Sequence, residues 1–175
     1  MNEYNTEYKI QDFTHRLFTG RLYDVPNVYL YRWESDFISV TKSGYVHEFE
    51  IKCSKSDFKN DAKHKAERHG ILQNGHRNPA KWERYYIDNG SNMYKLTKDG
   101  NIICNRPNYF WFICPDGLIT EVPEYAGLMY ATHLNFIIKK APKLHGNKIS
   151  QGQLIKLVSS MYHRYWQIRY DLNRK

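Results

Sequence analysis

Phe37-Ile38-Ser39-Val40-Thr41, Lys42-Ser43-Gly44, Tyr45-Val46-His47-Glu48-Phe49-Glu50-Ile51: the reading of this stretch decides the fold. Two runs rich in β-branched and aromatic residues flank three small or polar ones, which is the pattern of a β-hairpin. Gly44 suits the left-handed position that closes a three-residue loop. With Lys42 to Gly44 as that loop, Thr41 faces Tyr45. Stepping outward then sets Asp36 opposite Glu50, where directly opposed β-carbons lie ~5 Å apart. Lys52, two residues beyond Glu50, shares its face of the sheet. A loop one residue shorter would set Asp36 against Ile51 and dissolve the arrangement. Two apposed carboxylates repel and are stabilised by a shared divalent cation, while a neighbouring lysine can hold a phosphate or a water on that ion. This is the inventory for metal-dependent phosphodiester cleavage, although a lone E-x-K triplet is also common on exposed strands that do no chemistry.

The segment that follows adds cations. Ser54-Lys55-Ser56-Asp57 has the form of a capping box, with Ser54 at the N-cap, and opens a helix expected to run through Arg68 and to end before Gly70. Lys55, Lys59 and Lys63 recur at i,i+4 spacing as a basic stripe, joined by Lys65 and Arg68. Phe58, Ala62 and Ala66 form a narrow apolar stripe elsewhere, so the helix is expected to pack on the sheet with its cations outward. Such cations are ordinarily only solvated. Beside a carboxylate pair they also suit contact with a phosphate backbone.

Three blocks together, Glu48 through Lys63, Asn108 through Ile113 and Leu118 through Leu128, resemble the MmcB-type family of the PD-(D/E)xK nuclease superfamily, and they occur in that family's order. The resemblance covers roughly half the chain and is far more specific than the triplet alone. It implies an α/β fold with a mixed sheet and a restriction-endonuclease-like αβββαβ core. It also implies that Asp36 and Glu50 bind Mg²⁺ or Mn²⁺, with the Ile51 carbonyl as a further ligand, and that Asp36, Glu50 and Lys52 are catalytic. The family's association is with DNA repair. Glu34, on the strand face of Asp36, is an auxiliary candidate that simple solvation would also explain, and Glu7, on a first helix, is another for which a solvent-facing role is favoured.

The sequence departs from that family by an insertion at about residues 70–107. It carries Arg77, Lys81 and Arg84 among Trp82, Tyr85, Tyr86 and Tyr94, and Lys98-Asp99-Gly100-Asn101 signals a second hairpin between 93–96 and 102–104. Cations interleaved with aromatics suit a nucleic-acid contact arm, in which Arg77, Lys81 and Arg84 join Lys55, Lys59 and Lys63. A decorating lobe with its own small cluster is the alternative.

The 175 residues suit a single domain with a C-terminal helix, and the formal net charge of +8 favours an anionic partner, which the family resemblance implies is DNA before RNA. Three cysteines without C-x-x-C pairing argue against a disulfide scaffold and fit a cytoplasmic protein, and the spacing of His64, His69 and His76 is wrong for zinc, leaving them to the cationic surface. No secretory signal or membrane-spanning run is expected. The remaining elements are read as a helix over 6–18, strands over 28–33, 109–114, 127–131 and 135–138, and a helix over 150–170 whose Leu154, Leu157, Val158, Met161 and Tyr165 face the core. Two rival functions stand beside the nuclease: a nucleic-acid-binding module without turnover, and a protein-interaction factor using the aromatic insertion.

Overall fold

The hairpin closes in the expected register. Gly44 adopts φ 85°, Thr41 N–H donates to Tyr45 O at 2.9 Å, and Gly44 N–H donates to Thr41 O at 2.9 Å. Phe37 pairs with Phe49 and Ile38 with Glu48, so the next step outward sets Asp36 across from Glu50. The computed structural model describes residues 4–18, 20–74, 106–132 and 136–174.

Around this hairpin the chain runs α1 (Glu7–Leu17), β1 (Arg21–Val28), β2 (Ser35–Thr41), β3 (Val46–Ile51), α2 (Lys55–His64), α3 (Ala66–Asn74), β4 (Tyr109–Pro115), β5 (Ala126–Ala131), β6 (Ile137–Lys139) and α4 (Gln151–Leu172). It is a mixed α/β fold, and among the described residues six strands lie in sequence order in one sheet. β1, β2 and β3 are antiparallel neighbours, β3, β4 and β5 run parallel, and β6 returns antiparallel.

The strand alternation sorts the side chains. On one face Phe37, Phe49, Ile51, Trp111, Ile113 and Met129 pack against Ile10 and Phe13 of α1. On the other, Phe110, Phe112, Cys114 and Leu128 meet Leu72 of α3 and Phe58 of α2, while Val25, Ile38, Val40 and Val46 meet Leu157 of α4. Glu48, Glu50 and Lys52 share this second face and are buried there.

Four expectations are corrected. The strand read over 28–33 lies instead at Arg21–Val28, and residues 29–34 form a bend and loop. β1 is the sheet edge, which accommodates Pro26, and Leu30 and Tyr31 drop into the α4 cluster as irregular chain. The single helix over 55–68 is two: α2 ends at Lys65, which leaves helical geometry at φ −111° and ψ 29°, and α3 then passes through Gly70 to Asn74. Chain assigned to the insertion therefore supplies core, since Ile71 and Leu72 are buried. Arg106 closes the far end by donating to the Leu72 carbonyl at 2.6 Å; residues 75–105, with the second hairpin and Arg77, Lys81 and Arg84, lie outside the described residues. Finally, of the five residues assigned to the core face of α4 only Leu157 is buried. Val158, Met161 and Tyr165 are 43%, 40% and 56% exposed, because α4 touches the sheet mainly at its edge strand.

Candidate active site

Asp36 enters from the start of β2, and Glu50 and Lys52 from the end of β3. The Ile51 amide, at the point where β2 has nearly run out, donates to Asp36 Oδ2 at 2.7 Å. That side of Ile51 thus faces the Asp36 carboxylate. Burial comes first among the causes that raise Asp36 from 3.8 to about 7, and the charge of Glu50 adds to it, against the opposing pull of the Ile51 amide, Lys65 and Arg68.

Glu50 is fully buried. Lys52 Nζ donates to its Oε1 at 2.8 Å, Lys65 donates to the same oxygen, and Arg68 Nη1 donates to Oε2 at 2.5 Å. Arg68 reaches on through Nη2 to Glu48 Oε1 at 2.7 Å, an oxygen that Trp33 Nε1 and Ser35 Oγ also meet at 2.7 Å each. Glu48 Oε2 has no hydrogen-bond partner among the described residues. Burial raises the Glu48 carboxyl above the usual range against the pull of Arg68.

Lys52 is held from behind as well. Its ammonium donates to Asp61 Oδ1 at 2.7 Å, and Asp57 lies 3.5 Å away, so Ser54 caps α2 by accepting from Asp57 N–H at 3.1 Å while the Asp57 carboxylate turns to the lysine. Burial alone would lower Lys52, but Glu50 and Asp61 more than offset it and leave the ammonium above its ordinary value. Arg68 behaves alike, with burial outweighed by Glu48 and Glu50. Lys52 is therefore held as a cation between two carboxylates.

The expected triad of Asp36, Glu50 and Lys52 is brought together at one end of the β2–β3 pair. Lys55, Lys59 and Lys63 are exposed on α2. Arg68 does not face outward, being 3% exposed, and Lys65, although half-buried, turns its ammonium to Glu50, so that both cations neutralise that carboxylate. His69 also leaves the surface assigned to it, meeting Asp61 Oδ2 at 2.7 Å and the Tyr125 hydroxyl at 2.6 Å. Glu34 is exposed in the loop before β2 and off its strand face. Glu7 is exposed on α1, and Gln11 Nε2 joins its carboxylate, at 3.0 Å, to the Asp36 carbonyl, at 2.9 Å.

Sequence reasoning missed Glu48, Asp61, Lys65, Arg68, His69 and Tyr125 as members of the site. A signal existed for most of them. Glu48 alternates with Glu50 on one strand face, and Asp61, Lys65, Arg68 and His69 recur at helical spacing on one side of the segment. Tyr125 arrives from a distant loop and carries no local mark.

Two carboxylates and a carbonyl are hard oxygen donors suited to Mg²⁺ or Mn²⁺. Asp36 is the observation that tests the fit: its suppressed ionisation marks a place where added positive charge is favoured, and its Oδ1 carries no hydrogen bond to the Ile51 amide. Glu50 must share itself with three cations already present. Among the described residues no three His, Cys, Asp or Glu side chains gather as a group that could hold a metal ion.

A solved structure of a protein of unknown function from Silicibacter pomeroyi is similar to this chain, with a TM-score of 0.53 at 15% identity over 96% of this chain and 90% of that one. At that identity the likeness shows the fold alone. No family model and no curated protein matches the chain. Among the described residues no helix is long and apolar enough to cross a membrane.

Proposed function

We propose that the chain is a Mg²⁺- or Mn²⁺-dependent deoxyribonuclease of the PD-(D/E)xK type, related to the MmcB-type family and serving DNA repair, replication or phage-related DNA processing. The observation that carries the reading is the hairpin register, which sets Asp36 across from Glu50 with Lys52 on the same face. The order α1-β1-β2-β3-α2-α3-β4 supports the reading of a restriction-endonuclease-like αβββαβ core, with the crossover from β3 to β4 broken into two helices.

In this reading Asp36 and Glu50 hold the cation, and the Ile51 carbonyl joins them by resemblance. The bound ion supplies charge neutralisation at the scissile phosphate and a lowered pKa for the attacking water. Lys52, fixed and charged, faces the negative charge that grows on the phosphate in the transition state. Asp61 and Glu50 hold that ammonium in place before substrate arrives. The exposed Lys55, Lys59 and Lys63 meet the polymer's phosphates.

The test is incubation of the protein with single- and double-stranded DNA and RNA in Mg²⁺, Mn²⁺ and EDTA, beside Asp36→Asn and Lys52→Met. Cleavage in either metal, none in EDTA and a loss of about a hundredfold or more in each variant is expected. Equal cleavage by Lys52→Met sinks the role given to the lysine. A binding module without turnover is the second reading, favoured by the full engagement of Glu50 with Lys52, Lys65 and Arg68. Salt-sensitive binding with no cleavage in either metal establishes it.

A further inference from the structure

Behind Lys52 stands a line of side chains that phosphodiester chemistry does not by itself require. Lys52 Nζ donates to Asp61 Oδ1 at 2.7 Å, Asp61 Oδ2 meets His69 Nε2 at 2.7 Å, and His69 Nδ1 meets the Tyr125 hydroxyl at 2.6 Å. The four residues come from the end of β3, α2, α3 and the loop before β5. Helical spacing sets Asp61 and His69 on one side of the α2–α3 segment, whereas Lys52 and Tyr125 reach them only through the tertiary fold.

The direction of each bond follows from the inventory of donors. An ionised Asp61 only accepts, so His69 Nε2 carries a hydrogen and donates to it. In neutral His69 the Nδ1 atom then accepts, and the tyrosine hydroxyl donates. Tyr125 suits that task, since burial and the charge of Asp61 push its hydroxyl up to about 12. Asp61 lies below the usual carboxylate range, because His69, Lys52 and Glu50 outweigh the cost of its burial.

Lys65 also approaches Asp61 Oδ1, at 3.3 Å. Two ammonium groups thus compete for one oxygen, and a carboxylate free to turn would offer its other oxygen to either. His69 prevents the turn by occupying Oδ2. Tyr125 fixes the imidazole in turn, and the ring is stacked on Phe112 with centroids 6.3 Å apart.

We propose that Asp61, His69 and Tyr125 form a positioning relay that pins the Lys52 ammonium against Glu50, so that His69 and Tyr125 govern the chemistry through Lys52 without touching substrate. Its catalytic consequence rests on the nuclease reading; the state of Lys52 does not.

The experiment therefore reads Lys52 directly. Acylation of lysines by an amine-reactive ester, followed by peptide mass spectrometry, gives a labelling rate for Lys52, with exposed Lys55 and Lys59 as internal controls. Folding is checked by circular dichroism. Lys52 should label slowly in the native protein and about tenfold faster or more in His69→Leu and Asp61→Asn, with a smaller rise in Tyr125→Phe, which keeps its ring. His69→Gln, whose amide can donate to Asp61, should restore slow labelling. On cleaved DNA the same variants should lower kcat with KM unchanged, and His69→Leu should cost nothing further in a Lys52→Met background.

Unchanged Lys52 labelling in folded His69→Leu and Tyr125→Phe overturns the relay, as does failure of His69→Gln to restore it. Absence of any cleavage by the native protein in Mg²⁺ or Mn²⁺ overturns the nuclease reading instead, while the labelling rates still decide the relay.

Discussion

Arg68 illustrates how much one buried side chain can hold. Its guanidinium spans Glu48 and Glu50, and its carbon also lies 5.1 Å from the centroid of the Phe110 ring and 5.5 Å from that of Trp33. Removing one partner of a buried ion pair leaves the other uncompensated, at a cost of ~3–5 kcal/mol. Arg68→Met should lose about that much in denaturant unfolding, and Arg68→Lys should recover little of it, since an ammonium cannot reproduce the planar fork. Asp36 works in the opposite sense. Between 3.8 and about 7 the folded state keeps a proton that the unfolded state has released, so native stability falls as pH rises across that window. Asp36→Asn should therefore melt higher than the native protein at pH 8 in EDTA, by on the order of 5 °C, with the gap closing near pH 4. Mg²⁺ at pH 8 should raise the melting point of the native protein and leave the variant unmoved. A variant that melts lower at pH 8 removes Asp36 as the strained group.

Between neighbouring elements, close approach is the controlling fact at β4 and β5. Gly127 pairs with Trp111, and a β-carbon there would stand 2.4 Å from Trp111 Cε3 and 2.6 Å from the Ala141 amide nitrogen. Gly127→Ala should cost ~1–3 kcal/mol, the range for overpacking a filled core. Gly70, inside α3 with nothing within 4 Å of its would-be β-carbon, is the control: Gly70→Ala should gain ~0.5–1 kcal/mol by removing backbone freedom from the unfolded chain. Equilibrium denaturation midpoints of the two variants should move in opposite directions. Elements differ likewise in how far the sequence announces them. The β2–β3 hairpin was legible because turn chemistry and strand periodicity act over a few residues, and Ser150 and Gln153 close the capping box that opens α4 for the same reason. β1 was not, because Pro26 and Asn27 look like breakers until the strand is known to lie at an edge. Nor was the break at Lys65, where the ammonium turns inward to Glu50, a partner fifteen residues back in sequence. The triad could be read from the register of one hairpin, whereas the relay needs Tyr125, brought beside His69 only by tertiary folding.

Among the described residues around α2 and α3 the charges separate by depth. Buried cations are paired with carboxylates beneath α2 and α3, while Lys55, Lys59 and Lys63 stand in solvent on α2 itself, on a chain with a net charge of +8. An inner network of that kind is insensitive to salt, because its partners touch one another and are shielded from ions. The outer stripe is the opposite, and its contribution should appear in binding, not in folding. Replacing Lys55, Lys59 and Lys63 together by glutamine should leave the unfolding midpoint within ~0.5 kcal/mol of the native value, as for surface positions generally. It should weaken binding to duplex DNA at low salt and flatten the plot of log K against log salt by ~0.9 for each phosphate no longer neutralised. Cleavage at saturating DNA should keep its kcat, since none of the three lysines touches Asp36, Glu50 or Lys52. Binding isotherms at several salt concentrations separate the outcomes. An unchanged slope means that these lysines are only solvated and that the polymer approaches over another surface, whereas a drop in kcat without a change in slope moves them into the catalytic machinery.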